Sequence, residues 1–134
     1  MGFHDLYRLS SHAVITNPEG QVLLLKANYA NYSWGLPGGG LDQGETIHQA
    51  LLRECKEEIG CDISIQYLSG VYYHAHVNSH TFIFRCMIEN NAQIKLSEEH
   101  TEYAWFSPEQ LSDVQRIRVQ DCLNFQGEVR SYSF

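Results

Sequence analysis

Residues Thr46 to Ile59 place apolar side chains at Ile47, Leu51, Cys55 and Ile59, a four-residue recurrence joined by Leu52 that predicts an amphipathic helix with a core-facing stripe. Gly60 supplies a left-handed C-terminal stop. Beside the stripe stand Glu54, Glu57 and Glu58, spaced i, i+3, i+4, so their carboxylates share an arc of about 100° on adjacent turns. Such like-charge pairs cost a helix a few tenths of a kcal/mol each in water, and more when partly buried. They also occupy the last two turns, where the macrodipole disfavours anions. The spacing alone leaves two readings. One is a solvated acidic face, partly neutralised by Lys56 and by Arg53 pairing with Glu57. The other is a grip on a hard divalent cation, Mg²⁺ or Mn²⁺, which turns mutual repulsion into joint coordination and also binds phosphates.

A glycine-rich segment ahead of the helix favours the cation. Pro37-Gly38-Gly39-Gly40 lets backbone groups approach a ligand closely, because glycine has no side chain to intervene. The pattern then runs Gly39, five residues, Glu45, seven residues, Arg53-Glu54-Cys55-Lys56-Glu57-Glu58-Ile59-Gly60-Cys61. Residue types fixed at those offsets would arise by chance in a chain this size about once in a million, given average composition. On these residues the chain resembles the Nudix hydrolase family, whose box is G-x5-E-x7-R-E-U-x-E-E-x-G-U with U a bulky aliphatic. The box covers residues 39–61. The flanking Trp34-Gly35-Leu36-Pro37 and the order of strands also look like a small MutT-like member. Both U positions hold cysteine, Cys55 and Cys61, a small buried hydrophobe that leaves the chemistry intact.

The resemblance implies an α/β fold, an α/β/α sandwich on a mixed β-sheet, as one domain over residues 1–134. It also implies metal-dependent hydrolysis of a diphosphate bond in a nucleoside diphosphate linked to another group, by water attack at phosphorus. The expected substrate is a nucleoside triphosphate or modified nucleotide, giving NMP and pyrophosphate. A nucleotide sugar or other conjugate is the alternative, and a non-catalytic nucleotide-sensing domain ranks below both, because such domains typically lose box carboxylates and this chain has them all. The proline and tyrosine that often follow the box in ADP-ribose and dinucleoside-polyphosphate members are missing; His76 and Val77 stand near those places. Carried over residue by residue, Glu54, Glu57 and Glu58 bind Mg²⁺ (or Mn²⁺), with the Gly38 carbonyl as a further ligand. Arg53 orients the glutamates, and Glu45 supports the loop or a further ion. Gly39 and Gly40 line the substrate. Glu54 is first choice as general base. Members of the family also use a carboxylate outside the box, which makes Glu99 the leading candidate among Glu98, Glu99 and Glu102.

Other substrate contacts are expected from Lys26, at a strand end where related enzymes often carry a basic residue near the phosphates, and from Tyr29 or Tyr32 stacking on a base. Trp34 is expected to pack the loop instead. His74 and His76 are expected to alternate on one strand face; with His80 they lack a fourth ligand for zinc, which leaves His74 to touch substrate if its strand borders the cleft.

Ser11–Thr16 and Gln21–Lys26 read as strands joined in a hairpin by the turn Asn17-Pro18-Glu19-Gly20. Residues 28–44 read mostly as loop, Ile63–Val77 and Thr81–Glu89 as strands, and Glu102–Phe106 as a short strand. A helical turn begins at Ser107-Pro108-Glu109, and a last helix spans Val114–Phe125. The tail 126–134 shows no pattern. A formal charge of −7 argues against a nucleic-acid polymer or an anionic membrane as partner. The run Val22-Leu23-Leu24-Leu25 falls far short of the ~20 residues of a membrane span, and Met1 to Leu6 lack the basic-then-apolar order of a signal peptide. Four widely spaced cysteines without C-x-x-C suit buried thiols in a reducing cytoplasm. The expected partner is a small nucleotide or nucleoside-diphosphate substrate, and a homodimer is compatible with the fold.

Overall fold

Alternation along the first strand divides the interior in two. The computed structural model describes residues 2–89 and 91–134, Ala30 by its backbone alone. In chain order the elements are β1 (Arg8–Ile15), β2 (Val22–Ala27), β3 (Trp34–Gly35), β4 (Gly38–Gly40), α1 (Ile47–Ile59), β5 (Ser64–His74), β6 (Ser79–Met87), β7 (His100–Phe106), α2 (Asp113–Leu123) and β8 (Arg130–Ser133). One five-stranded sheet has the order β4-β1-β6-β5-β8 and a second, three-stranded sheet the order β3-β2-β7. The larger sheet is mixed: β1 runs parallel to β6 and β5 to β8, while β1–β4 and β5–β6 are antiparallel. Ala13, Ile15, Phe84 and Cys86 pack on Leu51, Cys55 and Ile59 of α1. Val14, Tyr72 and Ile83, from the opposite face, pack on Val119 and Cys122 of α2. A helix on each side of a mixed sheet is the expected α/β/α sandwich.

Three expectations need correction. The first two strands form no hairpin: β1 is flanked by β4 and β6 and β2 by β3 and β7, and between them the described residues show the isolated bridge Thr16↔Val22 and no ladder. The turn between them is as expected, with Gly20 N–H donating to Asn17 O at 3.0 Å. Residues 28–44 are mostly loop, as expected, with Trp34–Gly35 and Gly38–Gly40 each pairing into a sheet. Leu52 is 45 % exposed and lies off the α1 stripe. His76 sits in a 3₁₀ turn, Ala75–Val77, and so does not share a strand face with His74. The tail supplies β8, parallel to β5 at the sheet edge. α2 starts at Asp113 behind a Ser112 cap and ends at Leu123, slightly earlier at both ends than its apolar pattern suggests. No helix among the described residues is long and apolar enough to cross a membrane.

Local chemistry fixes α1 against the glycine strand. Thr46 and Gln49 form a reciprocal capping box, and Gly60 ends the helix at φ 68°. Ser11 Oγ donates to Ile47 O at 2.9 Å, tying the helix to β1, while Gly38 and Gly39 pair with His12 and Ser11 of the same strand. The glycine strand therefore lies directly over the glutamate-bearing face of α1.

Candidate active site

Arg53 clamps the loop to the helix. Its Nε donates to Glu45 at 2.6 Å and its Nη2 to the other Glu45 oxygen at 2.9 Å, a bidentate fork. Nη2 also donates to Gly40 O at 3.1 Å, and Nη1 to Glu54 at 3.0 Å and Glu57 at 3.4 Å. The guanidinium holds the Glu45 carboxyl well below its usual range, down to about 2, helped by the Asp42 amide. One cation thus serves several carboxylates, and it leaves the deepest one unpaired.

That one is Glu58, 5 % exposed, whose Oε1 accepts from the Gly38 amide at 2.8 Å. Burial pushes its carboxyl up to about 8; the Gly38 hydrogen bond opposes the shift, and Glu54, Glu99 and Glu57 add to it. Glu54 is also raised, first by burial and partly offset by Arg53. The approach of Gly39 is close: a Cβ there would lie 2.7 Å from the Glu54 carboxylate. A buried carboxylate that holds its proton to such a pH marks a place where negative charge lacks compensation.

The donor set suits a hard divalent cation. Among the described residues no three His, Cys, Asp or Glu side chains already converge on one point. Glu54 and Glu57 are turned onto Arg53, and Glu58 onto the Gly38 amide. All three are oxygen donors on one helix face with charge uncompensated at Glu58, which is the chemistry that Mg²⁺ or Mn²⁺ relieves.

The other expected residues separate. Glu99, in the loop before β7, lies near enough to add to the raised pKa of both Glu54 and Glu58, and its carbonyl accepts from the Asn28 amide at 2.9 Å. Lys26 is paired with Glu102 at 3.3 Å, opposite it across β2 and β7. Tyr29 and Tyr32 are both exposed, at 55 % and 61 %; Tyr29 lines a cavity with Glu58, and Glu58, Glu99 and Glu54 add to the burial that raises its phenol. Trp34, on β3, packs edge-on against Phe106 at the end of β7. His74 is buried, bonded to Arg118 at 3.2 Å and stacked on Phe134, away from the glutamate cluster.

Two neighbours escaped the sequence. His100 Nε2 lies 4.0 Å from Glu58 Oε2; burial favours the neutral form of each, so the pair is no ion pair at neutral pH. His12 Nδ1 donates to Leu36 O at 3.1 Å, and burial drives the ring's pKa down to about 4. His12, His100, Gly38, Glu58 and Tyr29 line one cavity of about 130 Å³. His100 had a signal, lying beside Glu99. His12 and the buried Arg118 had none, since a histidine in a strand or an arginine on a helix is ordinary.

Comparison with known proteins agrees with this geometry. The profile of the NUDIX domain matches residues 6–121. A MutT-like protein of Streptomyces ambofaciens is 31 % identical over 132 residues, covering 95 % of this chain and 84 % of that one. The nucleoside triphosphatase NudI of Escherichia coli O139:H28 is 32 % identical over 91 residues, spanning 58 % of this chain and 64 % of that protein's length. A crystal structure of a MutT protein from Methanosarcina mazei Go1 superposes with a TM-score of 0.73 at 28 % identity, covering 90 % of this chain and 96 % of that one. The chain belongs to the Nudix hydrolase family.

Proposed function

We propose that this chain hydrolyses a nucleoside triphosphate or modified nucleotide with Mg²⁺, adding water across a diphosphate bond to give NMP and pyrophosphate. The observation that carries the reading is the buried Glu58 beside Glu54 beneath a side-chain-free glycine strand, where negative charge lacks a counter-ion. The names of the MutT-like and NudI relatives support a nucleotide substrate.

Glu54, Glu57, Glu58 and the Gly38 carbonyl would hold the cation, which when bound neutralises the diphosphate and acidifies water. Arg53 keeps the glutamates and the Gly40 carbonyl in register. Glycine at 38 and 39 lets the strand backbone lie directly against β1 and the Glu54 carboxylate, with no side chain between. Glu54, whose proton affinity burial raises, is suited to take the proton from the attacking water, with Glu99 near it as the second candidate. Tyr29, exposed much as Tyr32 is but lining the cavity beside Glu58, is the better placed of the two to meet a base.

A panel of nucleoside triphosphates and diphosphate conjugates, followed by phosphorus NMR with Mg²⁺ present, tests this. NMP and pyrophosphate from a triphosphate is the expected result; turnover of conjugates alone would shift the substrate to the second class. Glu54→Gln is expected to lower turnover at least about a hundredfold with the fold intact.

A further inference from the structure

Arg118 is a buried cation without a counter-charge. It sits midway along α2 and is 9 % exposed. Its Nη1 donates to His74 Nε2 at 3.2 Å and its Nη2 to Gln115 Oε1, while Nε is buried with no partner. Among the described residues no carboxylate lies within ion-pair distance of it. Asp121, on the same helix, accepts instead from Tyr72 Oη at 2.8 Å. Burial lowers the guanidinium pKa to about 10, so it remains charged at neutral pH. His74 and His12 are both pushed toward the neutral form, first by burial and then by Arg118 itself. A charge this far out of water is ordinarily paired.

Part of the sheet face on the α2 side is polar and leads to the glycine strand. Residues opposite one another across a ladder share a face of the sheet. On the α2 side run the rows Gly40–Ser10–Thr81–Tyr72 and Gly38–His12–Ile83–Gly70, a face fixed by Tyr72 and Ile83 in the α2 core. The Ser10 and Thr81 hydroxyls are 3.1 Å apart. His12 lines the cavity that Glu58 and Gly38 also line, while Gln115, which covers Nη2, lines another of about 160 Å³ with Trp34 and Phe106. A neutral, hydrogen-bonding wall thus separates a carboxylate end from a guanidinium end.

We propose that Arg118, with His12 and the Ser10 and Thr81 hydroxyls, forms an anion subsite that selects substrates carrying a further phosphate or carboxylate beyond the diphosphate being hydrolysed. The proposal rests on the hydrolase reading above. An incoming anionic oxygen meets the unpartnered Nε and displaces the Gln115 carbonyl from Nη2, replacing a neutral contact with a charge-assisted fork. The terminal phosphate of a nucleoside triphosphate and a carboxylate on a diphosphate conjugate present the same chemistry.

Two substrate pairs separate those sources: a nucleoside triphosphate against its diphosphate, and UDP-glucuronate against UDP-glucose. The wild-type chain is expected to favour the more anionic member of at least one pair by about tenfold, carried in KM. Arg118→Met removes the preference and Arg118→Lys restores part of it. No preference in either pair, or one that survives in a folded Arg118→Met chain, overturns the proposal. Because a buried arginine variant can fail to fold, Gln115→Ala provides a second test that keeps the guanidinium and uncovers Nη2. Calorimetric titration with inorganic phosphate in EDTA is expected to show tighter binding by Gln115→Ala than by wild type; equal or weaker binding overturns the subsite. Loss of turnover on all four compounds, with phosphate binding still responding to Gln115→Ala, removes the hydrolase reading and leaves the subsite standing.

Discussion

At Gly39 a methyl group is enough to disturb the site, because its Cβ would lie 2.7 Å from Glu54 Cδ and Oε2. Gly39→Ala is therefore expected to cut turnover at least about tenfold, through a displaced carboxylate, while the thermal melt moves little. Gly38 is stricter: its φ of 139° and a would-be Cβ contact of 2.1 Å with Ser11 O forbid any side chain. Glu58 carries a pH signature. Its carboxyl stands at about 8 in the folded chain against 4.5 as reference, so the metal-free native state keeps a proton that the unfolded chain releases. The corresponding stability is complete below the reference value and is lost as pH rises through the folded one, at up to about 1.4 kcal/mol per pH unit in between. Urea denaturation in EDTA across that window should show the decline, and Glu58→Gln should flatten it. An equal decline in the variant would assign the pH dependence to other groups.

At the scale of elements, α1 was legible because every local signal agreed: apolar period, capping box, left-handed glycine and charge pattern. Thr46→Ala should cost about 1 kcal/mol by denaturant titration, the usual worth of such a cap. Arg53 ties this helix to the preceding loop through a fork that lysine lacks the geometry to reproduce. Arg53→Lys should reduce kcat at least about tenfold while leaving the charge unchanged; full activity would show that only the charge matters. The β1–β2 relation was illegible for a physical reason. Asn17-Pro18-Glu19-Gly20 dictates a turn, but strand pairing is decided by partners distant in sequence, here β6 for β1 and β7 for β2. The edge strand β8 was hidden likewise, since its exposed residues need bury nothing and carry no alternation.

For the whole molecule, the glutamate cluster could be placed from spacing because all of it lies on one helix, whereas His12 and His100 reach the cavity beside Glu58 only through tertiary packing of β1 and β7. The two helices flank the sheet with opposite electrostatic demands, α1 short of positive charge at Glu58 and α2 short of negative charge at Arg118. A cation on the first should add to stability by mass action, about 2.7 kcal/mol when present at about a hundred times its Kd. The most direct measurement is an electron paramagnetic resonance titration of Mn²⁺ into wild type, Glu54→Gln and Glu58→Gln, each shown folded by circular dichroism. Saturable Mn²⁺ binding by wild type, weakened at least about tenfold in both variants, is the expected result. Binding of equal strength in all three would mean that these carboxylates do not hold the ion.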